Sequence, residues 1–315
     1  MDIDGRRMRT SLALLFLLAI PGASLAQDAE PPAKRDAAPA RSDKAADDDI
    51  LVIGDRQGEA KAVRDQTAVV TKRGPSDKPL PRFYQPFCPM ALGVQADYAA
   101  YLTERIRSNA REAGVLVAKG KCQPNALLIF AKDARKTLKA LRKEQPWFFT
   151  DMPESDVNRL IERNEQTFAW QISEVRGVDG KPMRTIEVEI GMPPIRRELT
   201  VNDQWQTGRL NQPIRVDLSG SVLMIDDRYL PGKSLAQLAD YASLRLLAST
   251  NDIPPDELAF IPTILSLFTA PDSAPPGMSS FDTGYLRARY SLRPNANPLA
   301  IKDATVKAYS QETGK

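Results

Sequence analysis

Apolar residues recur along the chain at two different spacings, which predict a mixture of helices and strands. Every fourth residue from Val94 to Ala110 is apolar or aromatic, and charged residues lie between them. This spacing places the apolar side chains on one face of a helix over 94–114. A second helix is predicted over 234–247, where Leu235, Leu238 and Leu246 share a face.

The intervening sequence is typical of strands. The segment 125–131 is a continuous apolar run and 219–226 contains another, as buried strands do, whereas 168–175 and 185–190 alternate between apolar and polar residues. Asp179-Gly180, between the two alternating segments, predicts a hairpin turn that joins them. We therefore predict an α+β fold in which a mainly antiparallel sheet packs against several helices.

The N-terminal segment 1–26 has the pattern of a signal peptide. A basic start precedes the apolar run at 11–20, and small residues at Ser24 and Ala26 predict cleavage between Ala26 and Gln27. We expect a periplasmic or secreted protein that uses the Sec route. No later apolar run is long enough to cross a bilayer, so we expect no membrane span after cleavage.

Residues 27–57 are predicted to form a disordered tether, and residues 58–315 a single α+β domain. The first part of the tether is rich in Ala, Pro and charges of both signs, which cannot bury enough apolar surface to fold. Its end contains a short β-prone stretch, Ile50, Leu51, Val52 and Ile53. This stretch resembles a TonB box, which would pair as an added strand with a TonB-type partner; the alternative is an ordinary first strand or linker.

The absence of histidine in 315 residues limits the catalytic and metal-binding sites that the chain can form. It excludes Ser-His-Asp and Cys-His nucleophilic pairs and HExxH zinc sites, so we lean away from an enzyme and predict no cofactor and no metal. The 43 basic and 40 acidic residues nearly balance, which gives no electrostatic case for nucleic acid.

The two cysteines, Cys88 and Cys122, are predicted to form a disulfide, because paired cysteines in an oxidising compartment are usually bonded. Closing their loop would stabilise the fold by about 3–4 kcal/mol in the chain-entropy model. A metal site would need further soft ligands, which the sequence does not supply.

The segment SLAQLADYASLR at 234–245 combines helix start signals with a notable spacing. Ser234 and Gln237 form a capping box, and Gln237 and Tyr241 stand four apart, as the histidines of a zinc peptidase helix do. The order SVLMID, this helix, PTILSLF and MSSFDTGYLRARY resembles the second half of a zincin-type peptidase. The resemblance is closest to secreted bacterial zincin-like proteins of unknown function whose metal helix has lost the HExxH ligands.

That resemblance implies a strand leading to the metal helix, a turn beneath it and a closing helix. It would put Gln237 and Tyr241 at the histidine positions and Leu238 at the catalytic glutamate, so the catalytic apparatus would be missing. The predicted site is then a degenerate groove at Gln237, Asp240 and Tyr241. The alternative is a packed core helix whose Gln and Tyr satisfy neighbouring backbone groups.

A second candidate site is a carboxylate cluster of Asp226, Asp227 and Asp240. The leading hypothesis is an exported, non-catalytic interaction or envelope-accessory protein that binds an unknown protein or envelope component in the groove. The alternative is a histidine-independent hydrolase or lyase that uses these three carboxylates.

Overall fold

The structure is a computed structural model that describes residues 56–72, 78–150, 152–163, 165–201, 213–251, 253 and 261–314. All of these belong to one unit, Ile53–Lys315. In this described part the chain forms seven α-helices: α1 Arg56–Val70, α2 Ala96–Glu112, α3 Ala134–Glu144, α4 Glu154–Glu162, α5 Leu235–Leu247, α6 Ser280–Ser291 and α7 Ile301–Thr313. It also forms six strands: β1 Pro89–Leu92, β2 Ala126–Ala131, β3 Thr167–Gly177, β4 Arg184–Ile190, β5 Ile195–Val201 and β6 Ile214–Asp226.

A four-stranded mixed sheet in the order β1-β2-β6-β3 carries the fold. β1, β2 and β6 run parallel, and β3 pairs antiparallel with β6 at the edge. β4 and β5 form a separate antiparallel ribbon. The predicted α+β class is confirmed, with a sheet packed against helices.

The predicted turn at Asp179-Gly180 forms, since the Gly177 amide donates to the Lys181 carbonyl at 2.9 Å and Arg176 bridges Pro182. The predicted pairing of 168–175 with 185–190 is nevertheless wrong, because β3 pairs with β6 and β4 pairs with β5. Apolar burial explains the choice. Phe168 and Trp170 of β3 lie opposite Met224 and Val222 of β6, and all four are buried in one cluster. Strand β4 offers no comparable partner, since it has no buried residue.

Helices cover both faces of the sheet, which explains why 125–131 is a continuous apolar run. Leu128 and Phe130 of β2 belong to a large core that includes α2 and α5. Leu127 and Ile129 pack against the smaller cluster, which contains α3 and α4. A strand buried on both faces needs apolar residues at every position.

Cys88 and Cys122 are bonded, with their Cα atoms 6.2 Å apart, so the predicted disulfide is confirmed. Cys88 directly precedes β1, and Cys122 lies four residues before β2. The bond therefore joins the chain near the amino ends of two neighbouring parallel strands.

Helices α1 and α7 pack together although they are far apart in sequence. Arg64 of α1 donates to Asp303 of α7 at 2.7 Å, across 239 positions, and the Tyr309 hydroxyl lies 3.2 Å from Glu59. No helix in the described part of the chain has the length and apolar character needed to cross a membrane.

Candidate functional site

Helix α5 begins with the capping box that the sequence predicted. The Ser234 hydroxyl accepts from the Gln237 amide at 3.1 Å, and the Ser234 amide donates to Gln237 Oε1 at 3.1 Å. Every residue from Leu238 to Leu247 is buried. Only the first turn of α5 therefore borders solvent.

Gln237, the first predicted groove residue, uses both ends of its amide on neighbouring backbone. Besides the cap contact through Oε1, its Nε2 donates to the Pro275 carbonyl at 3.0 Å. This is the arrangement that the packed-helix alternative predicts for Gln237.

Tyr241 lies inside the core. Its side chain is 3% exposed, its hydroxyl is 2.9 Å from the Thr167 hydroxyl, and its ring meets Phe268 edge to face at 4.9 Å. Phe268 comes directly after the short helical turn Ile264–Leu267, which packs on α5. The turn of α5 that the spacing singled out is thus filled by the protein's own side chains.

Asp240, the third groove residue, is held in a buried ion pair. Arg105 Nε and Nη2 each donate to its carboxylate at 2.7 Å, Asn109 donates at 2.8 Å and the Met278 amide at 2.9 Å. Asp240 is 1% exposed. The hydrogen bond to Asp240 raises the pKa of Arg105, and the pair joins α2 to α5.

Asp226 is occupied in the same way by another arginine. Arg228 Nε and Nη2 donate to it at 2.8 Å, and the Ala134 amide donates at 3.1 Å. The side-chain hydrogen bonds from Arg228 lower the pKa of Asp226 to about 2.

The predicted carboxylate cluster does not assemble. Among the described residues, no three His, Cys, Asp or Glu side chains lie together in a way that could hold a metal ion. Asp240 and Asp226 bind separate arginines, and Asp227 leaves its buried Oδ1 without a hydrogen-bond partner.

A cavity of about 640 Å³ opens beside the first turn of α5. It lies where β1, β2 and β6 end, between the first turns of α2 and α5, a position where open sheets with parallel strands commonly bind ligands. Its apolar lining comes from β2, α2, α5 and the segments that follow β1 and β6, and comprises Val94, Leu102, Phe130, Leu230, Leu235 and Leu238.

Gly93 lets the β1–α2 turn approach the end of β2, and this approach shapes the base of the cavity. Its φ is +85°, and a Cβ atom there would lie 2.1 Å from the Phe130 carbonyl oxygen. Any side chain would push the turn away from β2.

Three polar side chains, Gln95, Tyr98 and Lys233, line the cavity, and no acidic residue of the described ranges does. The Lys233 ammonium lies 5.0 Å from the centre of the Phe268 ring. Burial lowers the pKa of Lys233. Within the described residues, it forms no ion pair with a carboxylate.

Exposed apolar side chains continue the cavity onto the surface. Leu92 is 41% exposed, Tyr98 47% and Tyr101 45%. Leu92 directly precedes the cavity residue Gly93, and the two tyrosines lie one turn apart on α2. Such patches mark interaction sites more often than isolated apolar residues do.

A second cavity, of about 580 Å³, lies between α2 and the segment 117–120 and is basic. Two of its three cations are already used within the protein. Arg107 donates to the Ala118 carbonyl at 2.9 Å and to Cys122 Sγ at 3.3 Å, and Arg111 pairs with Glu104 at 3.0 Å. This cavity therefore offers less to a ligand than the first.

Sequence reasoning missed Arg105 and Lys233. Arg105 lies 135 positions from Asp240, and no local pattern links the two. Lys233 precedes the Ser234 cap and resembles any solvated lysine. The remaining predicted residues, Ala26 and Gln27 at the cleavage site and Ile50–Ile53 in the TonB-like stretch, lie outside the described residues.

No family model, curated protein or solved structure matches this chain.

Proposed function

We propose that this protein is a non-catalytic binding module whose site is the cavity between α2 and α5. One observation carries the proposal: Leu235 and Leu238 of α5 line an open apolar cavity, whereas the predicted groove residues Gln237, Asp240 and Tyr241 are bound by the protein's own groups. The exposed Tyr98 extends the same surface outward. The binding site therefore lies on a different face of α5 from the groove that the sequence suggested.

The relationship to degenerate zincin-like proteins remains part of this proposal. It is supported by the order of elements after β6: the strand leads into α5, the turn Ile264–Leu267 packs on α5, and α6 follows with its own capping box. The resemblance implies this order. Phe268, after the turn, then fills the space next to Tyr241 where that resemblance would place a metal.

Export remains part of the proposal as well. The Cys88–Cys122 bond supports it, since disulfides persist mainly in oxidising compartments. The TonB-type partner stays a prediction about Ile50–Ile53. The carboxylate enzyme stays the weaker alternative, because arginines hold Asp226 and Asp240.

Binding of a neutral hydrophobic dye such as Nile red tests the cavity. The Leu235→Asp variant places a charge on its wall at the first residue of α5, where an acidic residue suits the helix dipole and the fold should survive. We expect dye affinity to fall about tenfold or more, because the apolar wall is lost.

Leu116→Asp is the matched control, since Leu116 is 61% exposed and does not line the cavity. Its affinity should equal that of the unaltered protein. Dye that binds Leu235→Asp as well as it binds the control would show that the cavity is not the binding site.

A further inference from the structure

We infer that the cavity binds an anionic amphiphile, an apolar chain or ring that ends in a carboxylate, with the Lys233 ammonium as its counter-ion. This inference rests on the proposed function and adds the chemical class of the ligand. It starts from an ammonium group that has no anionic partner within the described part of the chain.

The placement of Lys233 is costly for the free protein. Its side chain is half-buried, burial lowers its pKa, and its nearest described partner is the face of Phe268. An aromatic face replaces only part of the hydration that an ammonium loses. A bound carboxylate would supply the missing charge in a partly desolvated place, where an ion pair is stronger than in open water.

The first turn of α2 adds positive potential on the opposite side. Its N-cap residue, Gln95, makes no side-chain cap and lines the cavity. The first amide groups of this 17-residue helix therefore lack a side-chain acceptor at the end where the helix dipole is positive. Asp97, in the same turn, is exposed and does not line the cavity.

The apolar part of the cavity lining determines which ligand body can bind beside the anionic group. Leu102, Phe130, Leu230 and Leu238 form apolar walls that attract no second charge. A ligand with one compact anionic group and an apolar body fits this division, whereas a polyanion would leave charges against leucine side chains. Either a free fatty carboxylate or the terminal carboxylate of an apolar peptide has this chemistry.

Three ligands with the same ten-carbon chain test the inference by calorimetry: decanoate, decanol and decylammonium. With the unaltered protein, we expect decanoate to bind about tenfold more tightly than decanol, as one partly desolvated ion pair would give. Decylammonium should bind most weakly. Lys233→Met should remove the preference for decanoate and Lys233→Arg should keep it, while Lys307→Met, which alters an exposed lysine of α7, should change nothing.

The outcomes separate the two proposals. Equal affinity for decanoate and decanol would overturn the anion inference and leave the binding module standing. Failure of all three ligands to bind would overturn both proposals. A preference that survives Lys233→Met in a variant with an unchanged near-ultraviolet circular dichroism spectrum would assign the selectivity to another group and overturn the role of Lys233.

A blocked peptide control distinguishes the two ligand sources. If an apolar pentapeptide with a free carboxylate binds with the same dependence on Lys233 and its amidated form does not, the site recognises peptide ends. If decanoate alone shows this dependence, the ligand is a fatty carboxylate. Either result supports the anion inference, and it would be overturned if neither decanoate nor the free peptide bound in a way that depends on Lys233.

Discussion

Helix α5 has two regions that differ in how their polar and apolar groups are satisfied. In its closed region, Asp240 and Tyr241 have partners from α2, β3 and the turn after Thr263. In its open region, Leu235 and Leu238 line a cavity together with Lys233, which forms no ion pair in the part of the chain that the structure describes. The spacing of Gln237 and Tyr241 pointed to a different face of α5 from the one that Leu235 and Leu238 present to the cavity. A motif can thus locate a helix correctly without showing which of its faces is accessible.

The largest expected effect on stability comes from a substitution in the closed region. Asp240→Ala leaves Arg105, Asn109 and the Met278 amide without their acceptor. We expect the free energy of unfolding to fall by about 3–5 kcal/mol, as for other buried pairs that lose one member. Urea denaturation measures it, with the exposed Asp272→Ala as control. A loss below about 1 kcal/mol would mean that Arg105, which is partly exposed, needs no partner.

The next largest effect is a dependence of stability on pH, and it also concerns the closed region. Asp282 is buried in α6, where it accepts hydrogen bonds from Thr263 and Ile264 of the turn beneath α5. Burial raises its pKa to about 6, above the ordinary 3.8. The folded state binds the proton of the Asp282 carboxyl more tightly than the unfolded state does. The stabilisation from this proton is therefore complete below pH 3.8 and is lost as the pH rises through 6. The expected loss is roughly 2–3 kcal/mol.

This slope should be visible because the chain has no histidine. Unfolding free energies between pH 4.5 and 7.5 should therefore decline mainly through Asp282, and Asp282→Asn should flatten the curve. Stability that does not change over this range in the unaltered protein would contradict the raised pKa. Asp226 acts in the opposite direction at lower pH, since its pKa of about 2 costs stability as the pH falls below 4.

A substitution with a smaller expected effect tests whether the two regions of α5 are independent of each other. Tyr241→Phe removes the hydroxyl that meets Thr167 and should cost about 1 kcal/mol of stability. It should leave dye binding in the cavity unchanged, since Tyr241 does not line it. The exposed Tyr101→Phe serves as the stability control. A weaker dye affinity in Tyr241→Phe would show that the two regions are coupled.

The smallest effect belongs to the open region. Lys233→Met exchanges a partly desolvated ammonium for an apolar side chain of similar length, and the free energy of unfolding should change by no more than about 0.5 kcal/mol. Urea denaturation of this variant checks the prediction, with Lys307→Met as the control. A loss above about 1 kcal/mol would mean that the contact with Phe268 holds the fold, which would give Lys233 a structural role.

Local features of the structure were predictable from the sequence, and long-range ones were not. The capping box at Ser234 and the helix that contains Leu102 follow from contacts between near neighbours in sequence, so their patterns are sufficient. The Cys88–Cys122 bond was predictable because the chain has no other cysteines. These predictions need no knowledge of the tertiary structure.

The pairing of β3 with β6 and the contact of Arg105 with Asp240 depend on how distant elements pack. The turn at Asp179-Gly180 forms as its sequence predicts, but burial of Trp170 against Phe149 favours the pairing of β3 with the distant strand β6. The cavity was unpredictable for the same reason. Lys233 is distinctive only because it pairs with no carboxylate of the described residues, and the sequence alone cannot show that.

The contact between α1 and α7 has a consequence for the order of folding. Arg64 and Asp303 belong to helices separated by most of the domain, so the chain must close a very large loop before these helices gain their contacts. The sheet and α5 lie between the two helices in sequence and can assemble first. We expect closure of α1 against α7 to be the late and slow step, which leaves the domain accessible to chaperones and proteases until α7 docks.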